Sequence, residues 1–272
     1  MSKTIFITGA SRGFGKLWAE AFLKRGDKVI ATARNLKDLN DLEKNYGKNV
    51  FMIKLDVNDR NAVFAAVKQG KEHFGKIDVL INNAGFGLFG AVEETSEKLA
   101  REQMETNFFG LLWVTQAIIP IMRAQKSGHI IQVSSILGLV TLPTLGVYNA
   151  SKFAVEGLTE SLAPEVAQFG IKVSMVEPNA FSTDWIGPSS IHAEKNPVYD
   201  QLKEDLYAGF PSDFFGKPEA TVDAILKLAD SENPPLRLLL GKISYPFLKQ
   251  NYETRWKEWD AWKEVSDAAH GY

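Results

Sequence analysis

The sequence contains no cysteine in 272 residues. Disulfides, thiolate nucleophiles and Cys-ligated zinc are therefore excluded. Histidine is scarce, and His73, His129, His192 and His270 show no metal-binding spacing, so no metal site is expected. His73, His129 and His270 read as surface or helix-end residues. His192 falls in an irregular stretch where a substrate contact is the alternative to an ordinary surface position. There is no excess of charge of either sign: 31 basic and 33 acidic residues leave a net −2. With the basic residues scattered, neither nucleic acid nor an anionic membrane is expected as a partner. The apolar stretch Leu111–Met122 is interrupted by Thr115, Gln116 and Pro120 and is too short to span a bilayer. Residues Met1-Ser2-Lys3-Thr4 lead straight into a strand pattern without a signal-peptide layout. A cytoplasmic protein is the expectation.

What is present is a regular alternation of strand-like and helix-like segments. Ile5-Phe6-Ile7, Val29-Ile30-Ala31, Val50–Leu55, Val79-Leu80-Ile81, Ile130–Val133, Val173–Val176 and Leu236–Leu240 are short β-branched or apolar runs. Between them lie helical patterns over about Gly13–Arg25, Asp59–Phe74, Glu97–Lys126 and Tyr148–Phe169, the last carrying Pro164, which predicts a kink or local adjustment. Asp59 is placed to cap one helix and Gly75 to end it. Repeated β-α-β units predict an α/β fold: a doubly wound parallel sheet with helices on both faces, in one domain over 1–272. The rhythm breaks at about 182–218, which is rich in Pro, Ser, Gly and aromatics and reads as a lid-like substrate-binding insertion. Near the C-terminus Trp256, Trp259 and Trp262 recur at helical spacing and predict a helix packing its aromatic face on the core. A subunit contact or a substrate wall is the alternative.

Two stretches bear on chemistry. Thr8-Gly9-Ala10-Ser11-Arg12-Gly13-Phe14-Gly15 lies between the first strand and the first helix. Glycines there let the backbone turn tightly, and the N–H groups opening the helix face a pyrophosphate. The second strand ends Ala31-Thr32-Ala33-Arg34-Asn35, without the carboxylate that bonds a ribose 2′-hydroxyl in NAD sites. Arg34 and Arg12 are available to a 2′-phosphate, so NADP is expected as cofactor. Asp56-Val57 follows the third strand, where a carboxylate serves either the adenine amino group or a turn. Further on, Tyr148 and Lys152 stand four apart and share a helix face. A phenol is a poor base at neutral pH, and a neighbouring ammonium favours its ionised form. Ser135 sits just past a strand, where its hydroxyl can steady a developing oxyanion.

Taken in order, Thr8–Gly15, Asn82-Asn83-Ala84-Gly85, Asn107, Ser134-Ser135 and Tyr148-Asn149-Ala150-Ser151-Lys152 resemble the short-chain dehydrogenase/reductase (SDR) family. The resemblance covers about Lys3–Thr183 and then fades. It implies a Rossmann-fold oxidoreductase with Tyr148 as general acid/base, Lys152 lowering its pKa and binding the nicotinamide ribose, Ser135 orienting the substrate oxygen and Asn107 holding a water of a proton relay. The family spacing, Ser thirteen residues before Tyr, selects Ser135 over Ser134. Implied cofactor contacts are Gly9, Ser11, Arg12, Gly13, Phe14, Gly15, Arg34, Asp56, Val57, Asn83, Ala84, Gly85, Tyr148, Lys152, Pro178 and Thr183. Asn179 stands where the family has Gly after Pro178, and Asn tolerates a left-handed backbone. Family habit also implies a homo-oligomer, a dimer or tetramer, paired through the Glu97–Lys126 and Tyr148–Phe169 helices.

The expected pocket lining (Phe86, Leu137, Leu142, Phe181, Trp185, Ile186, Tyr207, Phe210) is apolar and aromatic, which predicts a largely apolar carbonyl or alcohol as small-molecule substrate. A catalytically silent dinucleotide sensor and a non-redox epimerase or dehydratase remain the alternatives on this fold.

Overall fold

The computed structural model describes residues 2–185, 187, 190–210 and 214–271. Ile186 and the side chain of Tyr207, two of the expected lining residues, lie outside the described part. Seven strands form one parallel sheet: β1 (Thr4–Ile7), β2 (Lys28–Ala33), β3 (Val50–Lys54), β4 (Val79–Asn82), β6 (Gly128–Val133), β7 (Ile171–Pro178) and β9 (Arg237–Leu240). Their order is β3-β2-β1-β4-β6-β7-β9. A separate pair, β5 (Leu88–Phe89) and β8 (Ile191–His192), is also parallel.

The helices are α1 (Gly13–Lys24), α2 (Asn40–Tyr46), α3 (Arg60–Phe74), α4 (Glu97–Met104), α5 (Leu111–Gln125), α6 (Gly146–Ala167), α7 (Asp200–Ala208), α8 (Val222–Asp230), α9 (Ser244–Ala261) and α10 (Lys263–Ala268). They cover both sheet faces. Strand alternation builds the two cores: Ile5, Ile7, Val29 and Ile81 pack with α1 and α8 residues, whereas Phe6, Ile30, Leu80 and Ile130 pack with α3, α5 and α6 residues. Burial on both faces is why these strands read as unbroken apolar runs. Asp59 caps α3 by accepting from the Ala62 N–H, and Gly75 closes it at φ +81°. The α6 helix continues through Pro164.

β1 and β4 are neighbours from which the chain winds in opposite directions. The crevice at their carboxyl ends is the topological switch point, where this architecture binds ligands. Thr8 and Asn83 stand there, one residue past each strand.

Three expectations are corrected. The segment Glu97–Lys126 is not one α-helix, because Glu105–Gly110 forms a π-helical turn between α4 and α5. His129 is not a surface residue: it is buried on β6, with Nε2 3.0 Å from the Ser174 Oγ. Burial foremost, then Lys172 and Lys3, holds its imidazole down at about 4. The C-terminal tryptophans do not face the core, for Trp256, Trp259 and Trp262 are 59%, 53% and 65% exposed. Spacing of three residues turns each ring about −60° from the last on a 3.6-residue helix, so the row walks off any straight seam. α9 packs inward through Phe247 and Leu248 and through Arg255, whose Nη1 donates to the Leu139 carbonyl at 2.9 Å.

Candidate active site

The loop after β1 is shaped by close backbone approach. Gly9 and Gly13 take positive φ (+67° and +53°). A Cβ on Gly15 would lie 2.2 Å from the Gly9 carbonyl oxygen. The Thr8 hydroxyl accepts from the Asn83 and Ala84 N–H groups, each at 3.0 Å. The Asn83 amide donates back to the Thr8 and Gly9 carbonyls at 3.0 and 3.1 Å. Asn83 therefore holds the two carboxyl-end loops together. The first turn of α1 carries no acid, and no side chain caps it. An uncapped, acid-free helix N-terminus over a glycine cradle suits a dinucleotide pyrophosphate.

One cavity of about 1010 Å³ runs from this loop to the tip of β6 and onward to the first turn of α9. Gly9, Ser11, Arg12, Gly13, Phe14, Arg34, Asp56, Val57, Asn83, Ala84, Gly85, Ser135, Tyr148, Lys152, Pro178 and Thr183 all line it. Gly15 is buried behind the loop rather than on the wall. Arg12 and Arg34 are exposed at the cavity edge. No acid stands at the end of β2, where Asn35 caps the turn Leu36–Leu39 and bonds Asp38. Asp56 closes a turn by accepting from the Asn58 N–H at 3.1 Å and also faces the cavity. Thr183 returns to within 4.0 Å of the position of a Gly13 Cβ, which brings the distant segment beside the phosphate loop.

At the other end, Ser135, Tyr148 and Lys152 converge. Ser135 is extended at the tip of β6, and its Oγ accepts from the Leu137 N–H at 3.1 Å. Ser135 also acts on the Tyr148 phenol, in the direction that lowers it. Tyr148 and Lys152 lie one turn apart on α6, both buried. Lys152 Nζ donates to the Val133 carbonyl at 2.8 Å and sits 5.8 Å from the Tyr148 ring centre. Burial pulls the Lys152 ammonium down to about 8, opposed by Glu156. Burial also pushes the Tyr148 phenol above its ordinary value, against a smaller opposite effect of Ser135. The phenol is thus raised rather than lowered, because desolvation outweighs its neighbours and the ammonium is turned to the Val133 carbonyl. Such a phenol keeps its proton at neutral pH.

Asn107 does not line the cavity. It is buried in the π turn, where its amide donates to the Phe86 carbonyl (3.0 Å) and the Ser151 Oγ (3.2 Å). Its Oδ1 accepts from the Phe86 N–H at 3.1 Å. A Cβ on Gly85 would come within 3.1 Å of that oxygen. Both amide donors are committed to tying the loop after β4 to α6, and none points to Lys152.

Asn179 does not adopt the left-handed backbone anticipated for a glycine substitute. Among described non-glycine residues only Lys126 and Thr144 have positive φ. Instead Gly241, at φ +96°, makes room: a Cβ there would fall 1.6 Å from the Asn179 Oδ1.

Of the cavity lining, Trp185 was anticipated from the sequence, whereas Ile243 and Phe247 were not. Thr144 has φ +64°, a strained setting for a β-branched residue. Ile243 and Phe247 reach the cavity from the start of α9. Trp185 rests on Tyr148 with ring centres 4.9 Å apart, and a Cβ on Gly87 would be 2.6 Å from its ring. His192 stacks on Phe89 at 5.2 Å.

The family model for short chain dehydrogenases matches residues 3–193. The chain belongs to the short-chain dehydrogenase family. It is thus an SDR oxidoreductase with the family's Rossmann-like sheet. It is 39% identical over 243 residues, 88% of each chain, to a 3-ketodihydrosphingosine reductase of Bacteroides thetaiotaomicron. A crystal structure of a short-chain dehydrogenase from Streptomyces avermitilis matches with a TM-score of 0.90, at 38% identity over 98% of each chain. A second, a short chain dehydrogenase from Burkholderia cenocepacia in complex with NADP, matches at 0.76 with 27% identity, over 96% of this chain and 97% of its own. No helix among the described residues is long and apolar enough to cross a membrane.

Proposed function

We propose that this SDR enzyme is an NADP-dependent oxidoreductase acting on the carbonyl or alcohol carbon of a largely apolar substrate. One observation carries the reading. A single cavity joins an acid-free phosphate cradle flanked by Arg12 and Arg34 to the buried Ser135–Tyr148–Lys152 group. NADPH, when bound, supplies the hydride. Tyr148 gives its proton to the substrate oxygen in reduction and takes it back in oxidation. Ser135 donates to the same oxygen and steadies its developing charge. Lys152 returns a proton toward Tyr148 and, as a cation, favours the phenolate formed. Asn107 acts in the relay by fixing the geometry around Ser151 and Phe86; a relay water there would bond its oxygen or backbone, since its amide donors are taken.

The substrate end is walled by Phe89, Leu142, Trp185, Phe210 and Phe247. Such a wall favours an apolar, extended or ring-containing carbonyl compound. The 3-ketodihydrosphingosine in the name of the Bacteroides relative is likewise a keto compound. The segment 182–218 serves as the substrate-binding insertion. It is pinned by β8 on β5 and by Lys203 Nζ on the buried Glu94 at 2.6 Å. Hydrogen bonding from the Asn196 N–H, then Lys203, holds the Glu94 carboxyl down at about 2.

The cofactor choice is tested by a double variant, Arg12→Ala with Arg34→Ala. Charge-assisted hydrogen bonds contribute about 1.5–3 kcal/mol each. Titration should show NADPH affinity falling at least about tenfold, with NADH affinity unchanged. Wild-type protein that binds NADH as tightly as NADPH would contradict the assignment.

A further inference from the structure

Behind Lys152 lies a group of buried charges that the reaction scheme leaves without a task. Lys152, Glu156 and Glu160 succeed one another at four-residue intervals along one face of α6. Glu156 is 5% exposed, and Glu177, near the end of β7, is fully buried. Arg237, on β9, reaches both: its Nε is 3.1 Å from Glu156 Oε2 and 3.5 Å from Glu177 Oε1. Its Nη2 is 2.9 Å from Glu160 Oε2, a largely exposed carboxylate. The groups facing Glu156 are therefore Lys152 and Glu160 from α6, Glu177 from β7 and Arg237 from β9.

One cation does not satisfy two buried carboxyls. Both Glu177 oxygens and Glu156 Oε1 are buried without a hydrogen-bond donor, and such a pair persists only by sharing a proton. The Glu177 carboxyl is the more shielded of the two, with no exposed surface. Burial first, then the Glu156 charge, pushes it up to about 8, against Arg237. The site is packed tightly. A Cβ on Gly138 would meet the Glu156 Cγ and the Ser134 Oγ at 2.9 Å and the Lys152 carbonyl at 3.0 Å. The Glu156 stem is thereby wedged beside Ser134 and the Lys152 backbone.

We propose that Glu156, Glu177 and Arg237 form a positioning cluster that keeps Lys152 charged, with one proton shared between the two buried carboxyls. The inference rests on the role given above to Lys152. Glu156 supplies the negative charge that offsets the burial of the ammonium. Protonated Glu177 donates to Glu156, so the carboxyl pair carries one negative charge instead of two. Arg237 orients Glu156 from the sheet side. None of the three lines the cavity, so they act through Lys152 and not on substrate.

The test is a nuclear magnetic resonance titration of the Lys152 side chain in the full chain, for wild type, Glu156→Gln, Glu156→Asp and Glu160→Gln. In Glu156→Gln the midpoint should drop by about one pH unit, a tenfold loss of proton affinity. Glu156→Asp should restore part of it, and Glu160→Gln should leave it in place. A midpoint unmoved by Glu156→Gln overturns the proposal. If that variant does not fold, isotope-edited infrared spectra of wild type and Glu177→Gln decide. A protonated-acid band at pH 7 that vanishes in Glu177→Gln is expected, and its absence from wild type overturns the shared proton. The same variant has a thermodynamic signature. Because the Glu177 carboxyl is raised on folding, wild-type stability should fall as pH rises from the unfolded carboxylate range to about 8. Glu177→Gln should lose that slope. None of these readouts uses turnover, so failure of the proposed reaction would be told apart from failure of the cluster.

Discussion

Tyr148→Phe is expected to reduce ketone-dependent NADPH oxidation by a factor of about 10²–10⁴, the range contributed by a positioned general acid. The substitution removes one oxygen from a buried ring that packs on Trp185 and lies over the Lys152 side of α6. The ring and its contacts remain, so cofactor affinity and thermal stability should change little. The lost hydroxyl is the group on which Ser135 acts. Because the two act as a unit, Ser135→Ala combined with Tyr148→Phe should cost little more than Tyr148→Phe alone. The pH profile follows from the same environment. Tyr148 is raised and stays protonated through neutral and mildly alkaline pH, whereas Lys152 discharges as pH rises through about 8. Reduction should therefore decline on the alkaline side of that value. A Tyr148→Phe protein with wild-type turnover would remove the tyrosine from the chemistry.

Gly15→Ala should abolish cofactor binding at concentrations that saturate wild type and lower the melting temperature by several degrees. The added methyl would stand 2.2 Å from the Gly9 oxygen and 2.5 Å from the Asn83 amide nitrogen. These belong to backbone and to a side chain that makes two bonds to the loop, so neither yields without opening the cradle. Overpacking of this kind costs about 1–3 kcal/mol, and freeing the Asn83 bonds adds about 1 kcal/mol for each. Gly157→Ala is the matched control. Nothing lies within 4 Å of the added carbon, and the site is helical, so stability should hold or rise by up to about 1 kcal/mol. Equal effects at the two glycines would deny the cradle its special geometry.

The alternation of strands and helices was legible because parallel strands buried on both faces leave uninterrupted apolar runs. The tight glycine turn after β1 was legible because its glycines and its place between strand and helix are both local features. What depends on distant packing was not. The π turn at Glu105–Gly110 leaves no mark on hydrophobic period, and the only local hint was an Asn in mid-helix. His129 looked superficial because nothing in its own strand announces Ser174 across the β6–β7 ladder. The tryptophan row of α9 looked like a core face, since spacing fixes which residues share a side but not whether anything covers it. Lys152 and Glu156 stand four residues apart, a spacing common on any helix. Only the packing of β7 against α6 buries the second carboxyl, and β9 brings a half-buried arginine to the pair. The rise of the Tyr148 phenol was missed for a related reason: burial, which the sequence does not show, dominates its setting, and Lys152 is not among the groups that lower it.

The central claim is that this chain moves hydride between NADPH and a carbonyl carbon under proton donation by Tyr148. The most direct measurement is transfer of isotope from NADPH deuterated at the reactive ring carbon to a panel of apolar ketones and aldehydes, followed by mass spectrometry of the alcohols. Deuterium should appear on the carbinol carbon of products made by wild type, and at background level with Tyr148→Phe loaded with the same cofactor. NADPH bound tightly by wild type with no deuterium delivered to any carbonyl in the panel would contradict the account.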